Sequence, residues 1–181
     1  EPTINIAIML LIIVGGIGFL TWDDIYTNKW HFKKYRMQSK VILVTTAILI
    51  IAPAVFFFFC DFTGLPLAER ILASLFQSVT PRTAGFNTAD LPAMTGSSKA
   101  IMILLMLVGG SPGSTAGGMK TTTLAVLLLS GWAVFYRKED TQCYGRRISE
   151  ETVRYAAVVM MMYITLCIGG ALAISYLEGL P

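Results

Sequence analysis

Charged residues are scarce in this sequence. Only 14% of its 181 residues are Asp, Glu, Lys or Arg, whereas 55% are hydrophobic, and the mean hydropathy is +0.66. Soluble globular domains carry roughly 25% charged residues, so this composition excludes an ordinary water-soluble domain and indicates a membrane protein. The formal net charge of +3 gives no reason to expect nucleic-acid binding.

Cysteine and histidine are also rare. Cys60, Cys143 and Cys167 form no CxxC pair and no Cys/His cluster, and on the topology given below they are far apart, so no disulfide framework is expected. The single histidine, His31, falls in a basic loop, where we interpret it as a solvated or headgroup-facing residue rather than a general base. The sequence begins at Glu1 rather than methionine, which we interpret as the start of a fragment or processed piece.

Long apolar runs dominate the remaining sequence. Ile4 to Leu20, Val41 to Phe59 and Tyr155 to Leu177 are each long enough to cross most of a hydrocarbon core of about 30 Å as helices. Two polar linkers, 21–40 and 137–154, each carry five Lys or Arg residues. The positive-inside rule therefore places both linkers on the cytoplasmic side.

Two segments interrupt this apolar pattern. The run that begins at Ile101 breaks after Val108 into GGSPGSTAGGMKTTT and resumes from Leu124 to Tyr136, which predicts a helix broken in its middle. The run Leu67 to Val79 leads into VTPRTAGFN, in which proline and glycine disfavour regular structure. Because irregular backbone at membrane depth must line something polar, we predict a short re-entrant helix followed by a loop.

An internal repeat supports this topology. The tripeptide Gly64-Leu65-Pro66 recurs 115 residues later as Gly179-Leu180-Pro181, and the same offset superposes the two basic linkers. The repeated unit is helix, re-entrant loop, helix. By this period the sequence stops where another re-entrant helix would begin, so we expect a further pore loop after residue 181 in a complete protein.

The residues alone leave two interpretations of the irregular segment open. The C-terminal end of a re-entrant helix carries partial negative charge, and carbonyls of Thr83 to Asn87 would then replace the water shell of a cation. The alternative is an external loop that is merely stiffened by proline and glycine. Hydropathy does not decide between them, because the depth of the segment is itself inferred.

Two motifs together resemble a known family. SVTPRTAGFNT (Ser78 to Thr88), followed by GGSPGSTAGGMKTTT (Gly109 to Thr123), closely resembles the Trk/Ktr/HKT superfamily of potassium transporters, in particular the bacterial membrane subunit of Ktr and Trk systems. In that family four helix, pore loop, helix repeats in one polypeptide surround a single pore. The resemblance implies an all-α polytopic membrane protein and covers the end of repeat two, all of repeat three and the start of repeat four.

The resemblance assigns the domains as follows. Residues 1–20 are the last helix of a preceding repeat, 21–40 a cytoplasmic linker, 41–136 a complete repeat with filter and broken gate helix, 137–154 a second linker, and 155–181 the first helix of the next repeat. The implied location is a bacterial cytoplasmic membrane crossed several times. The implied partners are membrane lipid, a second copy of the full-length subunit, and a cytoplasmic nucleotide-binding regulatory subunit.

Functional residues follow from the resemblance position by position. The implied filter is Thr83, Ala84, Gly85, Phe86 and Asn87, with K⁺ at Thr83, Ala84 and Gly85 and with Arg82 and Thr88 as supports. Glycine rather than serine at Gly85 favours potassium over sodium. The implied gate, an intramembrane loop below the filter, comprises Gly109, Gly110, Ser111, Pro112, Gly113, Ser114, Thr115, Ala116, Gly117, Gly118 and Lys120. No cofactor is implied, and coupling of K⁺ transport to Na⁺ or H⁺ stays open.

The alternative from another class is an intramembrane enzyme, either a serine hydrolase or an NTPase. The Gly/Ser-rich stretch partly resembles the phosphate-binding motif G-x-x-x-x-G-K-[ST]. The spacing fails because Met119 separates Gly118 from Lys120, and the βαβ setting that this motif needs is missing. We therefore predict a transporter rather than an enzyme.

Overall fold

The computed structural model describes residues 2–29 and 31–179. The second copy of the repeated tripeptide thus falls partly outside the described residues. The chain divides into two compact units, Glu1–Thr122 and Thr123–Pro181. Two helices, Met37–Cys60 and Glu150–Glu178, are long and apolar enough to cross a membrane, and a bent pair of helices at the N-terminus forms a third candidate.

The N-terminal run differs from the predicted single span. Helix α1, Pro2–Ile17, is followed after one residue by α2, Phe19–Asn28, and the two axes meet at 94°. The expectation of one span from Ile4 to Leu20 is therefore wrong at its C-terminal end. Gly18 between the helices has φ of 88°, a conformation that residues with a Cβ rarely adopt, and the chain turns there although the hydropathy continues.

The first basic linker is more ordered than a polar loop. Much of it lies in α2, and a 3₁₀ turn, Phe32–Lys34, precedes helix α3, Met37–Cys60. The carboxylate of Asp24 in α2 accepts hydrogen bonds from the backbone amide of Arg36 (3.1 Å) and the hydroxyl of Ser39 (2.5 Å). The Arg36 amide is a main-chain donor at the start of α3 without a partner in the helix, and Ser39 is a side chain of its first turn, so Asp24 caps that helix from a distance.

Helix α4, Leu67–Val79, occupies the range expected for the re-entrant helix. It packs against α3 and α1, and Phe76 and Val79 form a buried cluster with Met9 of α1. The strongly one-sided apolar pattern of α4 explains this packing, because its buried face points toward both long helices. The C-terminal end of α4 is fixed by these contacts.

The expected interruption of the third run is present. Helix α5, Gly96–Leu107, ends five residues before Pro112, and helix α6 begins at Thr121 and ends at Phe135. Between them lies an irregular segment, here named the 108–120 loop. Thr95 caps α5 by accepting a hydrogen bond from the amide of Ser98 (3.3 Å), and Met102 and Leu105 of α5 pack on Phe57 of α3.

The second unit contains most of α6, a small hairpin and the long helix α7, Glu150–Glu178. The hairpin pairs β1, Gln142–Cys143, with β2, Arg146–Arg147. Its two turn residues, Tyr144 and Gly145, both have positive φ, as tight two-residue hairpins require. Apart from these two short strands, the elements of the described residues are helical, so the all-α class is confirmed. The hairpin in the second basic linker is a local feature that hydropathy did not predict.

Candidate functional site

The turn after α4 is organised by Thr80. Its carbonyl oxygen accepts hydrogen bonds from the amides of Ala84 (3.3 Å) and Gly85 (3.0 Å). Its hydroxyl donates to the carbonyl oxygen of Phe86 across 2.5 Å. One buried threonine at the end of the short helix thus holds both the middle and the far end of the 83–87 segment. The sequence did not identify Thr80 as a functional residue.

The backbone of the 83–87 segment is irregular. Thr83 has φ of 78° and Gly85 has φ of 73°, so two residues with left-handed φ flank Ala84. A β-branched residue in this region is strained and persists only where its surroundings impose it. At Gly85 a Cβ would meet nothing within 4 Å, so the requirement for glycine comes from the backbone conformation and not from crowding.

Most carbonyl oxygens in this segment are free. Within the described residues, those of Thr83, Ala84, Gly85 and Asn87 accept no hydrogen bond, whereas that of Phe86 is engaged by Thr80. Free, closely spaced carbonyl oxygens suit a dehydrated monovalent cation. The side chains of Thr83, Phe86, Asn87 and Thr88 are exposed at this edge of the chain.

Arg82 lies behind the segment and not on its exposed edge. The residue is only 7% exposed, and its Nη2 donates to the carbonyl oxygen of Gly109 across 3.4 Å. Its Nε has no partner within the described residues. A buried guanidinium requires hydrogen-bond acceptors, and here the first residues of the 108–120 loop supply one.

The 108–120 loop is closed at its base by main-chain hydrogen bonds. Val108 and Met119 pair in parallel, and the amide of Gly109 donates to the carbonyl of Met119 (2.9 Å). The amide of Gly110 donates to the carbonyl of Gly117 (3.3 Å). A Cβ on Gly109 would lie 1.8 Å from that same Gly117 oxygen, so this glycine allows two backbone segments to approach closely rather than providing flexibility.

Hydroxyl groups satisfy the interior of the loop. Ser111 and Thr121 are fully buried, and their hydroxyls are 3.1 Å apart. Ser114 donates its hydroxyl to the carbonyl of Ser111 (2.6 Å), and Lys120 Nζ donates to the carbonyl of Ala116 (2.8 Å). Lys120 therefore binds the loop itself. Pairing of this kind is what irregular backbone needs inside a membrane.

The loop also contacts a part of the chain that sequence reasoning missed. The hydroxyl of Thr115 donates to the carbonyl of Gly15 in α1 across 3.3 Å, one hundred residues earlier. Pro112, Gly113 and Ser114 lie beside Gly18. Gly15, Gly16 and Gly18 in the first apolar run were the available signal of a close contact. They did not indicate which segment of the chain makes that contact.

The described residues hold no group of three or more His, Cys, Asp or Glu side chains that could bind a metal ion. In the part of the chain that the structure covers, Cys60 is exposed, Cys143 is buried, Cys167 is half-buried, and all three are free thiols. The geometry defines an all-α membrane protein in which a short helix leads into irregular backbone and a later helix is interrupted.

The comparison with protein families identifies the group to which this architecture belongs. The family described as TrkH, a cation transport protein, matches residues 1–179, and the chain belongs to this family. It is a family of transporters and not of enzymes, so the serine hydrolase and NTPase alternatives are discarded.

Individual relatives agree with this membership. The chain is 37% identical over 176 residues to the potassium/sodium uptake protein NtpJ of Enterococcus hirae, covering 94% of this chain and 39% of that protein. It is 33% identical over 187 residues to the Ktr system potassium uptake protein B of Bacillus subtilis, covering 100% of this chain and 42% of that protein. The chain thus spans about two fifths of the length of these relatives.

A solved structure has the same fold. The potassium transporter TrkH of Vibrio parahaemolyticus superposes with a TM-score of 0.79, covering 97% of this chain and 40% of that one. The sequence identity is 18%, so this likeness concerns the fold alone.

Proposed function

We propose that this chain is part of a potassium uptake pore, in which the 83–87 segment forms one strand of the ion filter. The observation that carries the proposal is the set of free carbonyl oxygens at Thr83, Ala84 and Gly85. Two relatives that are at least 33% identical are named for potassium or potassium/sodium uptake, which agrees with this substrate. Because the chain spans about two fifths of them, the complete pore needs further repeats.

The helix before the segment supports a cationic substrate. α4 ends at Val79, directly before the turn at Thr80, so the partial negative charge of its C-terminal end lies beside the free carbonyls. No acidic side chain is needed at such a filter, because carbonyl oxygens replace the hydration shell of the ion. This arrangement favours a cation such as K⁺ over anions.

The 108–120 loop acts as the gate in this proposal. Its second residue, Gly109, is the one that Arg82 contacts, and the loop is a stretch of irregular backbone between the helices α5 and α6. Such backbone lies at membrane depth only where it lines a cavity or is buried in protein. In the closed state the loop blocks the path of ions that leave the filter.

The full-length protein is proposed to be a homodimer in a bacterial cytoplasmic membrane that it crosses several times, together with a cytoplasmic nucleotide-binding regulatory subunit. The family resemblance supports both partners, and two of the relatives are described as components of a Ktr system. The regulatory subunit would act on the gate from the side of the two basic linkers.

The full-length protein containing this chain should restore growth of potassium-uptake-deficient cells at limiting K⁺. Gly85→Ala should abolish this rescue, because alanine disfavours φ of 73° although its methyl group meets no neighbour. Gly96→Ala is the matched control, since Gly96 begins α5 without positive φ and also has open space. Normal growth with Gly85→Ala would contradict the filter assignment.

The gate assignment is tested by deletion of Gly113 to Gly118 in the full-length protein. Removal of the central part of the loop should raise K⁺ flux into proteoliposomes. Gly131→Ala in α6, outside the loop, should leave the flux unchanged, because a Cβ there meets nothing within 4 Å. A flux that stays at the parent level after the deletion would identify the loop as a simple connection.

A further inference from the structure

Two backbone hydrogen bonds join the centre of the 108–120 loop to the break between α1 and α2. The amide of Ser111 donates to the carbonyl of Gly16 (2.9 Å), and the amide of Phe19 donates to the carbonyl of Gly113 (3.1 Å). Gly16 is in the last turn of α1 and Phe19 begins α2, so both groups belong to helix ends that lack partners within their own helix. The loop supplies those partners.

Side chains complete the same contact. Thr115 donates its hydroxyl to the carbonyl of Gly15 (3.3 Å), and Trp22 donates its indole N–H to the carbonyl of Val14 (3.0 Å). Together with Gly16, three successive carbonyls at the end of α1 are therefore paired outside the helix. The sharp bend exposes these carbonyls, and two of the three are used to hold the loop.

Gly18 is required at this junction for two independent reasons. Its φ of 88° and ψ of 146° lie close to a region that is essentially restricted to glycine. A Cβ at this position would also lie 2.6 Å from the carbonyl oxygen of Pro112, which is main chain and cannot rotate away. By contrast, Gly16 is helical, has no positive φ, and a Cβ there would meet nothing within 4 Å.

We propose that Gly18 is a positioning residue for the gate, and that the bent helix pair α1–α2 is the surface on which the closed loop docks. The proposal rests on the gate function assigned above. The hydrogen bonds at Val108 and Met119 close the base of the loop, whereas its central part is fixed through the contacts with α1 and α2. Closure of the gate therefore depends on the helix of the preceding repeat as well as on the loop.

The first test measures K⁺ flux through the full-length protein in proteoliposomes. Gly18→Ala should raise the flux in the closed state by about tenfold. Backbone strain and steric overlap at this position shift the population of the loop from docked to undocked. Gly96→Ala, outside the docking contact, is the control and should give the parent flux. Equal fluxes for the two variants would overturn the proposal, whereas a parent protein without any K⁺ flux would contradict the proposed function instead.

A second readout does not depend on transport. Gly117→Cys, introduced into an otherwise cysteine-free full-length protein, places a thiol at an exposed loop position with room for a Cβ. Its alkylation by a membrane-impermeant maleimide should be about tenfold faster with Gly18→Ala and unchanged with Gly96→Ala. If Gly18→Ala fails to assemble, Thr115→Val, which removes only the hydroxyl bond to Gly15, decides by the same measurement. An unchanged labelling rate in the deciding variant would overturn the proposal.

Discussion

Arg82 donates a hydrogen bond to the carbonyl oxygen of Gly109 across 3.4 Å, so the residue that precedes the proposed filter strand contacts the first glycine of the proposed gate. Arg82 is buried behind the strand. The amide of Gly109 donates a hydrogen bond to the carbonyl of Met119, which fixes this glycine. The proposed filter strand and the proposed gate are therefore joined by a direct contact. A shift of the base of the loop would change the support of the filter strand.

Arg82→Met should lower the ratio of K⁺ to Na⁺ flux by about tenfold, because the strand loses a charge-assisted hydrogen bond while the side-chain volume is retained. The ratio is measured with the full-length protein in proteoliposomes under matched gradients. Lys99→Met is the control, since Lys99 is exposed and binds only the carbonyl of Pro92. An unaltered ratio in Arg82→Met would show that the contact with Gly109 does not support the filter.

The sequence predicted a helix well where the end of an apolar run coincides with the end of the helix. A short helix was expected at Leu67 to Val79 and is found there, because Pro66 precedes it and the irregular VTPRTAGFN segment follows it. The first run was extended too far, to Leu20, since Phe19 and Leu20 are as apolar as the residues before them. Only the conformation of Gly18 shows that the helix ends at Ile17.

The candidate site was predictable in composition but not in its contacts. The motifs identified the residues from Arg82 to Thr88 and from Gly109 to Lys120, yet the hydrogen bond between Thr115 and Gly15 spans one hundred residues. No local pattern encodes such a pair. The capping of α3 by Asp24 is also non-local. Sequence rules look for a cap in the residue directly before a helix, whereas Asp24 lies twelve residues before Arg36.

Thr80→Val should lower K⁺ selectivity while Thr80→Ser retains it. Valine has nearly the shape of threonine but cannot donate to the carbonyl of Phe86, so the far end of the 83–87 segment loses its anchor. A single hydrogen bond of this kind contributes about 1 kcal/mol, which corresponds to a change of about fivefold in the flux ratio. Equal K⁺ to Na⁺ ratios for the two variants would exclude a role for the hydroxyl.

Asp24→Ala should destabilise the protein, whereas Asp23→Ala should have little effect. The Asp24 side chain is 5% exposed and holds the first turn of α3 through Arg36 and Ser39, so its loss leaves buried donors unpaired at a cost of about 1 to 3 kcal/mol. Asp23 forms an ion pair with Arg36 in which both side chains are 57% exposed, and such pairs contribute about 0 to 1 kcal/mol.

The measurement is the thermal unfolding midpoint of the full-length protein in detergent, followed by tryptophan fluorescence. Asp24→Ala should lower the midpoint well below that of Asp23→Ala. Equal midpoints would mean that the linker between α2 and α3 does not depend on the buried cap.

Cys143 in the hairpin of the second unit should react slowly with iodoacetamide at neutral pH. Burial raises the pKa of the Cys143 thiol, and only the thiolate is nucleophilic. As the pH rises, the alkylation rate of this thiol in denatured protein should level off first. The rate in the native protein should still increase at those pH values. The raised pKa also implies that the contribution of this thiol to stability is fully present below its unfolded pKa and is lost as the pH rises through the native value.

A variant with Cys60→Ser and Cys167→Ser isolates the signal of Cys143 within this chain, and mass spectrometry of the hairpin peptide follows its alkylation in the full-length protein. The urea-denatured protein is the reference, because its Cys143 is exposed. If native and denatured rates level off at the same pH, the hairpin does not bury this thiol. A native curve displaced toward alkaline pH is the expected result, since desolvation disfavours the thiolate.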